Sequence, residues 1–228
     1  MTGSPKKQRK RQPQSPSKRY YPVFLDITGK PWVIIGGGKV AERKCSSLVR
    51  AGARVTVISP EITERLQKYR SKGLIRHLKR HYRKGDLPSV FAVIAATDSE
   101  ETNRKIAADM PRNGLLNVVD TPSLCTFITP SVLVRGPLTI AVSTGGVSPA
   151  MARTIRKGLE TRYGNEVSKY LRHLKGLRLK VMKKIQDRET RERVFKELAS
   201  DRMMKILAED GFRAARTEAL TLLKKQKG

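Results

Sequence analysis

The run Val33-Ile34-Ile35-Gly36-Gly37-Gly38-Lys39-Val40-Ala41-Glu42-Arg43-Lys44 carries an apolar strand through a glycine turn straight into a helix, and few folds accommodate that order of residues. The spacing Gly36-x-Gly38-x-x-Ala41 fits the dinucleotide fingerprint. Gly36 makes the tight turn, Gly38 lets the backbone approach a pyrophosphate, and Ala41 is small enough for close packing of helix on strand. The free N–H groups opening the helix then face the negative charge. The alternative is a plain glycine-rich turn, and the flanks argue against it. Residues 31–35 form a short apolar run, Val40, Cys45, Leu48 and Val49 give a helical apolar stripe, and Ala51-Gly52 ends the helix before a second strand, Arg54-Val55-Thr56-Val57-Ile58.

The 228 residues suffice for one large domain or two modest ones. No apolar run approaches the ~20 residues that cross a bilayer, and the first residues lack the apolar stretch of a secretory signal, which predicts a cytoplasmic protein without a membrane partner. Two cysteines cannot build a disulfide framework or a four-cysteine zinc site. Cys45 reads as a small packed hydrophobe. Cys125 reads as structural, with a reactive thiol as the alternative.

The net charge of +28 is unevenly spread. Residues 1–19 carry seven basic and no acidic side chains among Ser, Pro and Gln, a composition that cannot bury a core and predicts a disordered tail. Such a tail is either an electrostatic tether to nucleic acid or another polyanion, or simply solvated.

Between residues 20 and 117 strands and helices alternate, which predicts a mainly parallel sheet covered on both faces. A helix is expected over residues 61–70, closed by Gly73, and an exposed strand near a sheet edge over 74–82. Buried strands are expected at 90–95 and 115–119, with a helix at 100–109 between them. Beyond these, 126–130 and 138–142 read as short strands interrupted by Val132-Leu133-Val134 and the turn Arg135-Gly136-Pro137. A helix starts at Ser148-Pro149, and the remaining chain is helical and basic, with breaks expected near Gly164, Gly176 and Gly211. The stripe Val167, Tyr170, Leu171, Leu174, Leu177 reads as core or interface rather than a cofactor box.

Ligands of open α/β sheets bind at the carboxyl ends of the strands, so the residues there are the candidates. Ser59, Pro60 and Glu61 follow the second strand. Thr97 and Asp98 form a cofactor-facing loop, with capping of the next helix by Asp98 or Ser99 as the alternative. Asp120 is the best-placed acid or base, against the alternative of a turn-forming Asp before Thr-Pro. The turn Ser143-Thr144-Gly145-Gly146-Val147-Ser148 gathers donors around an anion or is an ordinary capped helix start. No metal site emerges: in a strand His77 and His81 would stand about 13 Å apart. His173 reads as solvated.

The ordered set Tyr21-Pro22-Val23-Phe24-Leu25-Asp26, the glycine run with Lys44, Ala95-Ala96-Thr97-Asp98, Asn117-Val118-Val119-Asp120, Phe127-Ile128-Thr129-Pro130-Ser131 and Ser143 through Pro149 resembles the precorrin-2 dehydrogenase and sirohydrochlorin ferrochelatase family, the N-terminal module of siroheme synthases. The resemblance covers about residues 20–165. It implies a Rossmann-type NAD-binding domain over 20–117, a small strand-based dimerisation segment over 118–150 and a helical domain over 151–228. It further implies oxidation of precorrin-2 to sirohydrochlorin with NAD as hydride acceptor. Ferrous iron as a second substrate and a homodimer are also implied. By the same resemblance Asp120 is central to dehydrogenation and chelation, and Gly36, Gly37, Gly38, Lys39, Val40 and the Ser59-Pro60-Glu61 region contact NAD. Ser143, Thr144, Gly145, Gly146 and Ser148 are the expected substrate-binding residues. The position after the second strand, where an acid would hold ribose hydroxyls, is Ser59, so the choice of NAD over NADP follows from resemblance. The chain has no room for a methyltransferase domain and is expected to act downstream of a separate methyltransferase. The rival reading is a nucleotide-sensing or nucleic-acid-binding protein on the same domain, suggested by the charge and the basic tail.

Overall fold

The computed structural model describes residues 18–87 and 89–225, so most of the basic tail expected over 1–19 lies outside the described residues. Lys18 and Arg19 are described, and Lys18 belongs to the fold: its ammonium donates to the carbonyls of Ser123 (2.7 Å) and Cys125 (2.9 Å). The chain divides into two units, with the break between Thr129 and Pro130.

The first unit is built on five parallel strands in the order β3-β2-β1-β4-β5: β1 (Pro31–Ile35), β2 (Arg54–Ile58), β3 (Ile75–Leu78), β4 (Ala92–Ala95) and β5 (Leu115–Val118). This is a doubly wound sheet, with the order reversing between β1 and β4. Helix α1 (Lys39–Arg50) and helix α2 (Glu64–Ser71) pack with Trp32, Ile34, Val55 and Val57 on one face. Helix α3 (Glu100–Asp109) buries Ile106 with Val33, Ile35, Val93 and Val118 on the other. Adjacent β1 residues therefore serve opposite cores, which is why the strand reads as a continuous apolar run. Cys45 is fully buried, as expected of a packed hydrophobe, and burial pushes its thiol up to about 11.

Three local expectations for this unit are corrected. The helix expected from residue 61 starts at Glu64, because Thr63 caps it by accepting from the Leu66 N–H at 3.4 Å. The preceding loop is held instead by the glycine turn, through Thr63 N–H donating to the Gly37 carbonyl. The strand expected over 74–82 does lie at the sheet edge, but it ends at Leu78, leaving His81 outside it. Residues 126–130 form no strand. There the Thr126 hydroxyl accepts from the Leu116 N–H and donates to the Gly114 carbonyl, while the Thr126 N–H donates to the Leu116 carbonyl at 2.8 Å, so side-chain and backbone bonds together hold the segment without a regular ladder.

The second unit opens with an antiparallel hairpin, β6 (Ser131–Arg135) and β7 (Leu138–Val142), so Val132-Leu133-Val134 belong to a strand rather than interrupt one. The two-residue loop Gly136-Pro137 needs a positive φ at its first position, and Gly136 has φ +57. Five helices follow: α4 (Pro149–Arg162), α5 (Asn165–Lys184), α6 (Arg188–Leu198), α7 (Asp201–Glu209) and α8 (Gly211–Lys225). Tyr170, Leu177 and Val181 of α5 bury against Val194, Leu198, Met203, Leu207, Ala215 and Ala219, with Val167 and Leu174 of the expected stripe partly buried beside them. Gly164 and Gly211 mark helix boundaries, but Gly176 lies inside α5. Its cost of about 1 kcal/mol in a helix interior is outweighed by burial of the flanking Leu174 and Leu177.

His173 is only partly solvated. It is half-buried, its ring stacks edge-on against Phe212 at 6.0 Å, and its Nε2 is buried with no partner among the described residues. Burial, then the charges of Arg216 and Lys180, hold it below the ordinary value of 6.5. The neutral form is favoured on folding, so stability is complete above about pH 6.5 and falls as pH drops from there through the depressed folded value. Denaturant midpoints measured between pH 8 and 5 are expected to decline below pH 6.5, and His173→Phe is expected to flatten that limb.

Candidate functional site

The carboxyl edge of the five-stranded sheet gathers the residues expected to matter in the first unit. Gly36 (φ +113) sits so close to β4 that a Cβ there would lie 2.1 Å from the Ala96 carbonyl oxygen. A Cβ at Gly37 would lie 1.8 Å from the Glu61 carbonyl oxygen and 2.8 Å from Ser59 Oγ. A Cβ at Gly38, by contrast, would meet nothing within 4 Å. The first two glycines are therefore demanded by the protein's own packing, whereas the third leaves open space in front of the α1 N-terminus. Gly38 is the N-cap of α1 and offers no side-chain cap to the N–H groups of the first turn. Open space, uncapped donors and the positive end of a helix are what a dinucleotide pyrophosphate requires, so the residues present fit that group.

The loops after β2 and β4 frame this turn. Ser59 is nearly buried, its N–H donates to the Leu78 carbonyl at 3.2 Å, and its own carbonyl meets His77 Nε2 at 2.9 Å. The hydroxyl of Ser59 thus faces the glycine loop at the position where an acid would meet a ribose. After β4, Ser99 rather than Asp98 caps α3, accepting from the Thr102 N–H at 3.1 Å, which leaves the exposed Asp98 carboxylate outside the cap. Buried Asn103 donates to the Thr97 carbonyl at 3.2 Å and so fixes this loop.

Asp120 lies two residues past β5, at the same edge and two strands from β1, about 10 Å across the sheet. Its backbone has φ +61, and it is the one non-glycine residue with positive φ among those described. Aspartate tolerates the left-handed region better than most residues, yet the conformation still needs support from its surroundings. The support is a staple around the turn. Val119 N–H donates to the Ala95 carbonyl at 2.9 Å, a 3-10 turn at Pro122–Leu124 follows, and Cys125 folds back under β5. The Val118 N–H donates to Cys125 Sγ at 3.2 Å, and the thiol donates to the Val118 carbonyl at 3.2 Å. Asn117 donates to the Phe127 carbonyl at 3.1 Å, and Lys18 clamps the turn from outside. Cys125 is thus structural. The Asp120 side chain stays exposed, with no hydrogen-bond partner among the described residues.

Ser143, Thr144, Gly145, Gly146 and Ser148 lie in the second unit, ahead of α4. Their hydroxyls are used locally: Ser143 accepts from Gly145 N–H, Thr144 from Ser148 N–H, and Ser148 caps α4 through Met151 N–H. Gly145 (φ +63) and Gly146 (φ +90) turn the chain there. Among the described residues no cluster of His, Cys, Asp and Glu could hold a metal ion, and no helix is long and apolar enough to cross a membrane.

Lys44 has no place in the set of site residues derived from sequence. It is half-buried on α1, and its ammonium donates to Thr129 Oγ1 beyond β5. A signal was present: Ala41, Cys45 and Leu48 define the buried stripe of α1, and Lys44 falls on it.

Glycine loop, strand order and crossover define the class of the first unit, an NAD(P)-binding domain of the Rossmann type, and the NAD(P)-binding family model NAD_binding_7 matches residues 23–131. A second model, described as "Sirohaem biosynthesis protein central", matches residues 135–162. The siroheme synthase of Methylobacillus flagellatus is 46% identical over 141 residues, covering 61% of this chain and 30% of the relative. Siroheme synthase 1 of Aeromonas salmonicida is 35% identical over 211 residues, covering 92% of this chain and 45% of the relative. The solved structure titled "SirC, precorrin-2 dehydrogenase" superposes with a TM-score of 0.76 over 89% of this chain and 100% of that one, at 24% identity, and thus shares the fold. Over 61% and 92% of its length, respectively, the chain is similar to these two siroheme synthases. It spans less than half the length of these curated relatives.

Proposed function

We propose that this protein oxidises precorrin-2 to sirohydrochlorin with NAD as hydride acceptor, with Asp120 as the acid–base residue. The observation that carries the reading is Asp120 itself: an exposed carboxylate in a left-handed backbone conformation, stapled at the edge where the glycine loop opens α1. Strain that is held in place by several independent hydrogen bonds, at the ligand-binding edge of a sheet, supports a functional role for the residue.

When bound, the nicotinamide accepts the hydride. The chain's own part is to hold the dinucleotide through Gly36, Gly37, Gly38, Lys39 and Val40, with Ser59, Pro60, Glu61, Thr97 and Asp98 framing it. Asp120 takes the proton that must leave the reduced macrocycle, and its fixed position relative to the sheet keeps the carboxylate in reach. Precorrin-2 carries eight carboxylates, and the basic excess of the chain lowers the cost of gathering them. Ser143, Thr144, Gly145, Gly146 and Ser148 complete the substrate contacts in this reading.

The reading extends to a homodimer in the cytoplasm. The exposed face of the hairpin, with Val132 44% and Val134 56% accessible, supports pairing with a second copy over the segment 118–150. The test is incubation of the purified chain with precorrin-2 and NAD, followed by absorbance at the NADH band and in the visible. Stoichiometric NADH with appearance of sirohydrochlorin is the expected result, and NAD uptake without either change would refute the assignment. Ferrous iron added afterwards reports on iron as a second substrate by a further spectral change. Sedimentation of the same sample reports the dimer.

A further inference from the structure

Lys44 stands on the buried stripe of α1, where its ammonium costs free energy unless it is paired. One of its three donors is spent on Thr129 Oγ1. Among the described residues it forms no salt bridge, although most other half-buried charges of this unit do: Arg80 with Asp86, and Glu42 with Lys39. The charged and titratable groups that act on it are Arg43 on its own helix and Cys125 and Asp120 on the turn beyond β5. Burial and Arg43 pull its basicity down, and Asp120 and Cys125 oppose them. A half-buried cation held by a neutral hydroxyl, with no carboxylate paired to it among the described residues, is a place for an anion that the protein does not itself supply.

We propose that Lys44, anchored by Thr129, binds one carboxylate of the substrate beside Asp120 and so sets which edge of the macrocycle meets that acid. The inference rests on the proposed reading that the substrate is a polycarboxylate tetrapyrrole. A charge-assisted hydrogen bond in a half-buried setting fixes direction as well as affinity. The two contacts, one to the reacting edge and one to a neighbouring carboxylate, would restrict rotation of a nearly symmetric ring.

The test uses uroporphyrin, a fluorescent tetrapyrrole octacarboxylate that cannot undergo the oxidation, titrated into the full chain without NAD. Lys44→Met is expected to weaken uroporphyrin binding by about 10- to 100-fold, the loss of one hydrogen bond to a charged group. Lys44→Arg should recover most of that loss, and in turnover Lys44→Met should raise KM for precorrin-2 more than it lowers kcat. The melting temperature of Lys44→Met should equal or exceed that of the parent, since a half-buried charge without an ion-pair partner has gone, and NAD affinity should stay within about twofold. A Lys44→Met protein with parental uroporphyrin affinity and parental KM overturns the inference while the dehydrogenase reading stands. A parent chain that takes up NAD yet leaves precorrin-2 unoxidised sinks that reading instead.

Discussion

Asp120→Asn is expected to lower the rate of precorrin-2 oxidation by about 10²–10⁴-fold, the usual contribution of a positioned acid–base group, while leaving NAD affinity and melting temperature almost unchanged. Asparagine is the informative substitution because it tolerates the left-handed backbone that position 120 adopts. It therefore removes the ionisable group without straining the turn. Asp120→Ala should lose the same activity and, in addition, about 1 kcal/mol of stability, because alanine resists φ +61. The comparison separates chemistry from conformation. An asparagine variant within a few-fold of parental turnover would leave Asp120 as a turn residue only.

The glycine loop supplies the second large effect, and it splits by position. Gly37→Ala places a methyl 1.8 Å from the Glu61 carbonyl oxygen, and Gly36→Ala places one 2.1 Å from the Ala96 carbonyl at φ +113. Both neighbours are backbone, so relief requires moving a strand end or the loop over residues 59–63. A loss on the order of 3 kcal/mol is expected for each, read as a fall of about 10 °C in melting temperature, with NAD binding lost alongside. Gly38→Ala should behave oppositely. Its Cβ enters free space, so the fold should be retained, but the added methyl at the N-cap is expected to crowd a pyrophosphate approaching the α1 N-terminus. NAD affinity is expected to drop by at least tenfold at unchanged stability, by calorimetric titration. A Gly38→Ala protein that binds NAD normally would move the pyrophosphate away from this helix N-terminus.

These two expectations differ in how visible they were in the amino-acid order. The glycine triplet, its strand and its helix were legible because each depends on neighbours a few residues away: apolar period, turn residues, a small residue at position 41. The same holds for α3, which occupies residues 100–109 as the pattern requires, and for α4, started by Ser148-Pro149. Asp120 was legible only as a candidate, since an Asp before Thr-Pro has a local turn explanation that the sequence alone favours over the functional one. Its φ and its staple are tertiary facts.

Local chemistry thus determined on its own that a parallel sheet carries a phosphate-shaped turn after β1, and that Cys45 and the α5 stripe are core. Only the folded chain decided that the thiol of Cys125 would clasp Val118, that Lys44 would reach Thr129 across 85 residues of sequence, and that Lys18 would reach Cys125 across 107. The same is true of Gly176 remaining helical and of His173 partly leaving water. The physical reason is common to all of them. A periodic pattern reports which face of an element is buried, but a single polar side chain takes its partner, its strain and its basicity from whatever distant segment the packing brings against it.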